Sequence, residues 1–300
     1  MIKKLSYLLL VIMILFSSCK SKNSSSSQMA VPDSVKNSGE LEISKEAMGD
    51  IVQNISSPVE MAALIKSLGV PFSKKYIAST ANVDDYNTSF KKAYNLGVFG
   101  ADLGYLNMYN KTSSVLEYIS AIKKLADGIN VGQFFDFSTL KRLATNSTNL
   151  DSLMFVSVHS FNEMDNYLRK NNRSDISAAI VAGVWVEGLY FATQVAKDHP
   201  SSDLTENIGE QKNILNQLLL VLKNFQKDNE IKSLVNDLTE IKKTFDPLKI
   251  TIEVGEPKSV EKNGRLTIVQ SETSKVHVTK EQLKNIIQQT EKIRNKLIRS

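Results

Sequence analysis

Ala93-Tyr-Asn-Leu-Gly97-Val-Phe-Gly-Ala-Asp102-Leu-Gly-Tyr105 is the stretch whose reading decides the fold. Asp102 is its only charge, and apolar or small residues occupy every side of the helix that the spacing describes. Gly97, Gly100, Ala101 and Gly104 fall at i, i+3, i+4 and i+7, so they share one face. A glycine inside a helix costs about 1 kcal/mol relative to alanine. Gly97, Gly100 and Gly104 within two turns therefore point to close packing against another backbone.

The same pattern returns 86 residues later as Ala179-x-x-x-Gly183-Val184-Trp185-x-x-x-Leu189-x-Phe191, matching Ala93, Gly97, Val98, Phe99, Leu103 and Tyr105. That spacing exceeds the period of most solenoid repeats, which leaves two readings: two related half-bundles, or two buried helices with the same packing need. Either way Gly183 joins the close-packing set.

Outward from these two segments the helical period dominates residues 41–247. Ser57-Pro58-Val59-Glu60 is a capping box, followed by Met61, Leu64, Ile65 and Leu68 on one face and a stop at Gly69. Further helices are predicted over 83–110, 113–128, 134–145, 150–169, 174–197, 204–226 and 229–245, with breaks at Gly128, at His199-Pro200-Ser201-Ser202 and at Asp246-Pro247. After Pro247 the period changes to two. Ile250-Thr-Ile-Glu-Val254, Leu266-Thr-Ile268 and Val276-His-Val278 alternate, and Asn263-Gly264 is a strong hairpin signal. Thr279-Lys-Glu-Gln282 then caps a last amphipathic helix. The expected architecture is mainly α: an antiparallel multi-helix bundle over 41–247, made of two pseudo-repeated halves on the first of those two readings, with a small antiparallel β-meander and a final helix over 248–300.

The other informative end is the beginning. Lys3-Lys4, the ten apolar residues Tyr7–Phe16 and Ser17-Ser18-Cys19 make a secretory signal over residues 1–18. The apolar run is half the ~20 residues a membrane-spanning helix needs. Residues 19–40 are Ser-rich with little to bury and read as a tether, whose reach is about 25 Å. Cys19 is the only cysteine, so no disulfide is available within the chain.

Ser17-Ser18-Cys19-Lys20 resembles the lipobox of bacterial lipoproteins, with Phe16 where that family usually has leucine. The resemblance implies acylation of Cys19, and several acyl chains, at about 0.8 kcal/mol per buried methylene, give firm attachment to a bilayer. Together with 97–105 and Gly183-Val-Trp-Val-Glu-Gly-Leu-Tyr190, the layout is similar to uncharacterised helical lipoproteins of Bacteroidota-type bacteria. That likeness implies the cell envelope, and Lys20 after the cysteine implies the outer membrane. The absence of an acidic run after Cys19 favours the periplasmic side.

Charge adds little. The chain has 37 basic and 32 acidic residues, formally +5, with an apparent pI near 9.0. Residues 248–300 hold 11 basic against 6 acidic residues, an excess that fits a solvated face or contact with an anionic surface. Nucleic acid is not an expected partner of an exported chain.

Chemistry is sparse. His159, His199 and His277 have no metal-ligand spacing, and no phosphate-cradling, dinucleotide or nucleophile-elbow motif occurs. Neither a metal nor another cofactor is expected. Asp102 and Glu187 stand out as acids inside apolar helices, where a carboxylate needs a partner or its pKa rises. With Tyr105, Tyr109, Trp185 and Tyr190 they form the candidate ligand pocket. The functional expectation is a membrane-anchored envelope lipoprotein that binds a small ligand or an envelope protein without catalysis. The alternative is a hydrolase or metal-dependent enzyme using Asp102 and Glu187 as paired carboxylates.

Overall fold

Thr88 sets where the first long helix begins: its hydroxyl accepts from the Lys91 amide at 3.1 Å, so the helix starts at Ser89 instead of near Val83. Residues 80–82 form a separate 3-10 turn. The computed structural model describes residues 64–144, 150–254, 258–262, 265–269 and 272–299. The signal segment, Cys19, the tether, the first capping box and Asn263-Gly264 lie outside the described residues.

Eight helices are named here: α1 Ser89–Met108, α2 Thr112–Gly128, α3 Phe137–Ala144, α4 Leu150–Lys170, α5 Ser174–Asp198, α6 Ser202–Lys223, α7 Asn229–Phe245 and α8 Lys280–Leu297. The strands are β1 Lys249–Val254, β2 Lys258–Lys262, β3 Arg265–Val269 and β4 Glu272–His277. Asparagines end three helices of the first half. Asn110, Asn130 and Asn172 adopt φ of 55°, 56° and 58°, each two residues past the helix end. The next amides, of Lys111, Val131 and Arg173, reach back to the carbonyls of Leu106, Ala126 and Leu168 at 3.1, 2.9 and 2.8 Å. These are Schellman caps, with asparagine tolerating the left-handed position. Helix α2 consequently runs through Gly128, where the sequence suggests a break.

The helices form two rings of four that share one contact scheme. In the first, α1 packs on α2 and α4, and α3 closes the ring between them; in the second, α5 packs on α6 and α8, and α7 closes it. The rings meet through α1 and α5, which run in the same direction: Gly97 lies against Ile180 and Val184, Gly183 against Tyr94 and Val98, and the Tyr105 ring is 5.2 Å from that of Phe191. The contact is reciprocal. A Cβ on Gly97 would overlap the carbonyl oxygen of Ile180, three residues before Gly183; a Cβ on Gly183 would overlap that of Tyr94, three residues before Gly97. The repeated pattern in the sequence is thus a quasi-symmetric crossing of two helices. Gly100 is filled from outside by the Phe161 ring, 2.9 Å from where its Cβ would stand, and Gly104 is buried.

Both central helices are apolar all round, which is how a helix enclosed by others reads. By length and composition α5 could cross a membrane, with mean hydropathy 1.5, but 89% of that apolar window is buried among the other helices. The expected capping box of α8 is formed in both directions, with Gln282 N donating to Thr279 Oγ1 at 3.3 Å and Thr279 N to Gln282 Oε1 at 2.8 Å.

The β segment is antiparallel as expected, but its strands are nested instead of laid side by side in chain order. β2 pairs with β3, Lys262 opposite Arg265, while β1 pairs with β4, Ile250 opposite Val276. The physical reason is that β2 and β3 pair with each other from Lys262 opposite Arg265, which leaves β1 and β4 on either side of that pair as partners. Its base rests on α6, where Val276 and Val278 occupy the space above Gly209, 2.6 and 2.8 Å from where a Cβ would be.

Candidate functional site

Just beyond the glycine crossing, α1 delivers Asp102 and α5 delivers Glu187 to one place, and both are 0% exposed. The two carboxyls are near enough for the charge of Glu187 to act on Asp102, whose Oδ1 is buried without a hydrogen-bond partner among the described residues. Helix α8 supplies the cation: Arg294 Nε donates to Glu187 Oε2 at 2.8 Å and a terminal nitrogen donates to Oε1, a bidentate pair in which Arg294 is 4% exposed. The guanidinium also lies 4.2 Å from the centre of the Tyr190 ring.

One cation faces two acids, so full ionisation would leave an unpaired charge in the core. Burial, and then the charge of Glu187, hold the Asp102 carboxyl well above the usual carboxylate range, although Arg294 and the Ala78 amide pull the other way. The protonated form of Asp102 is therefore the favoured one, beside a Glu187 whose oxygens accept from Arg294. The centre is then neutral as a whole.

The other oxygen of Asp102 accepts from the Ala78 amide at 3.1 Å. Tyr118 donates its hydroxyl to the Ala78 carbonyl, so that peptide is held on both sides. Further along α1, Tyr105 accepts from the Ser73 amide at 3.1 Å and Tyr109 donates to the Val70 carbonyl at 2.6 Å. Phe72 stacks on Tyr105 at 5.5 Å. Residues 70–78 thus run along α1 in the opposite direction, pinned by Tyr109, Tyr105 and Asp102 in turn. Burial pushes the Tyr105 hydroxyl up to about 12.

The structure therefore brings Asp102, Glu187 and, through Arg294, Tyr190 together, and places the remaining candidates elsewhere. What stands in front of Tyr105 and Tyr109 is the chain's own segment 70–78. Trp185 is 3% exposed and donates its indole N–H to Gln211 Oε1 at 3.0 Å. These aromatic side chains line packed interior. Arg294 is the member of this centre that the candidate pocket lacks. Its signal was available: Ile287, Thr290, Arg294 and Leu297 have the i, i+3, i+7, i+10 spacing of one face, which puts the arginine on the apolar side.

Concavities among the described residues open elsewhere. A groove of about 700 Å³ lies between the start of α6, the end of β4 and the start of α8, with Val276, Val278 and Leu283 among its lining and Glu206 and Lys280 at its sides. A smaller cavity of about 110 Å³ lies between α1, α7 and α8. Among the described residues, no three acidic, histidine or cysteine side chains converge as metal ligands. His159, His199 and His277 are exposed. Comparison with protein-family models, curated proteins and solved structures gives no match for this chain.

Proposed function

We propose that the chain is a lipid-tethered envelope protein whose helical domain binds a ligand or partner and performs no reaction. The observation that carries this reading is the Glu187–Arg294 pair. A catalytic carboxylate must reach a substrate, and here both oxygens of Glu187 are engaged by Arg294 at zero exposure, while Asp102, also at zero exposure, accepts from the Ala78 amide. A hydrolase built on this pair would have to remove α8 first. The acids instead join four parts of the chain: the crossing helices α1 and α5, the terminal helix α8 and the segment before α1.

The tether is Cys19, acylated and held in a bilayer at the outer membrane facing the periplasm, with residues 19–40 as spacer. Export argues against nucleic acid as a partner. The test of this reading has two arms. Cys19→Ala should move the protein from the membrane fraction to the soluble fraction without changing its melting temperature. Asp102→Asn should alter stability and leave any ligand binding in place. Membrane retention of Cys19→Ala, or a hydrolytic activity that disappears in Asp102→Asn while the fold persists, would overturn it.

A further inference from the structure

Helix α8 turns its apolar side inward and leaves a face dominated by one sign of charge outside. Ile286, Thr290, Ile293, Arg294 and Leu297 are buried. On the opposite side Lys284, Gln288, Lys292 and Arg299 are exposed at i, i+4, i+8 and i+15. The Arg299 amide donates to the Lys296 carbonyl at 3.2 Å, which carries the turn past the end of the helix. Lys280, one turn before Lys284, is a fourth exposed cation, and Glu281 is the exposed acid beside them. On other helices an outward lysine is neutralised one turn away, Lys123 by Asp127 on α2 and Lys242 by Asp246 at the end of α7. On α8 the corresponding positions hold amides: Gln288 is four residues from both Lys284 and Lys292, and Asn295 is four before Arg299. Among the described residues Lys280, Lys284, Lys292 and Arg299 are in no ion pair. The charges that do pair, Lys296 with Asp237 of α7 and Lys197 of α5 with Glu291, flank this face.

We infer that this face of α8 is the surface on which the tethered domain rests against a bilayer of anionic lipid. At about 1.5 Å of rise per residue, Lys284 and Lys292 are about 12 Å apart along the axis, and Lys292 and Arg299 about 10 Å. Those separations exceed the Debye length of about 8 Å at physiological ionic strength. The cations therefore repel one another weakly, whereas a plane of phosphate headgroups attracts all of them at once. Each lysine or arginine near such a plane strengthens binding by about five-fold, so the contact orients the domain while the acyl chains supply the hold. Chain continuity favours lipid over a soluble acidic protein. Cys19 precedes the helical domain on the same chain, and an acyl anchor there keeps α8 at a high effective concentration of headgroups. The inference rests on the reading of Cys19 as acylated, and names the face that the anchored domain presents to the membrane.

The experiment is co-sedimentation of the full chain carrying Cys19→Ala with vesicles of phosphatidylcholine alone and of phosphatidylcholine mixed with phosphatidylglycerol. Binding is expected on the mixed vesicles at about 0.01 M salt, where the Debye length is about 30 Å, and on neither at about 1 M, where it is about 3 Å. Lys284→Gln and Lys292→Gln should each weaken partition by about five-fold, and together with Arg299→Gln by about a hundred-fold. All three side chains are exposed, so the melting temperature should not move. Lys170→Gln, at an exposed lysine of α4, should leave partition unchanged. No preference for phosphatidylglycerol, or a triple variant that partitions as the parent chain does, would overturn the inference. Retention on a soluble polyanion such as heparin with none on the mixed vesicles would overturn it too, and would reassign the face to an anionic polymer. Each of these failures would leave the acyl anchor standing, since the anchor is read from fractionation of Cys19→Ala, which at high salt is free of any contribution from this face.

Discussion

Arg294 of the last helix and Glu187 of the fifth form a two-point ion pair across 107 residues of chain, with the arginine 4% and the glutamate 0% exposed. Asp102 completes the centre from α1. Two crossing helices, the terminal helix and the segment before α1 therefore meet at one neutral cluster, and its perturbation should be felt in all four.

Removing one member should be costly. Arg294→Met leaves Glu187 buried without its cation, for which breaking a buried pair suggests a loss of about 3–5 kcal/mol. In Glu187→Leu/Arg294→Met both charges go, and most of that loss should return, because apolar replacements of similar volume restore packing without desolvated charge. Urea denaturation of the two variants checks this; equal stabilities would mean that the arginine acts through its stem alone.

The glycines should separate by environment. Gly97→Ala and Gly183→Ala each force a methyl onto a backbone carbonyl of the opposing helix, and overpacking of this kind costs about 1–3 kcal/mol. Gly188→Ala, in the same helix as Gly183, meets nothing within 4 Å and should stabilise by up to about 1 kcal/mol through helix propensity. Thermal melts that order the three otherwise would contradict the reciprocal crossing.

The strap at residues 70–78 should loosen without the fold being lost. Tyr109→Phe deletes the bond to the Val70 carbonyl, at a cost of about 1 kcal/mol. Hydrogen exchange should quicken in 70–78 and stay unchanged in α7. Uniform acceleration across the chain would show that the tyrosine supports the core generally.

Much of this architecture was legible because the signals were local. Thr279 and Gln282 define the start of α8 by chemistry contained in four residues, and Ile231, Leu234, Val235, Leu238, Ile241 and Phe245, spaced on one helical face, define α7. Gly97 and Gly183 announced a close backbone approach, and the structure adds that each is the other's partner. What the sequence did not reveal depends on long-range pairing. Nesting of β1 with β4 follows from the register of a hairpin whose arms outlast the alternating segments. The start of α1 was blurred because the 3-10 turn at 80–82 and Thr88 both offer N-terminal chemistry. For the site, Asp102 and Glu187 were identifiable as misplaced charges, but their meeting depended on α1 and α5 running parallel. Arg294 was harder to assign, since a basic residue in a last turn also suits the helix dipole. The role of Tyr105 and Tyr109 could not be read at all, because their partners are backbone atoms of 70–73, which carry no side-chain signature.

The central claim is that Asp102 stays protonated in the core, and linkage gives its sign. The group's folded pKa is raised above an unfolded value of about 3.9. Below that value both states hold the proton and the contribution is fully present. As pH rises above it, the unfolded chain releases the proton while the folded chain retains it, so stability falls by up to about 1.4 kcal/mol per pH unit until the folded pKa is passed. The most direct measurement is the unfolding free energy of the wild type and of Asp102→Asn from pH 4 to pH 8. The account predicts that the asparagine variant, which can accept from Ala78 without titrating, gains on the wild type steadily as pH rises. A free-energy difference independent of pH, or one that moves in favour of the wild type, would contradict it.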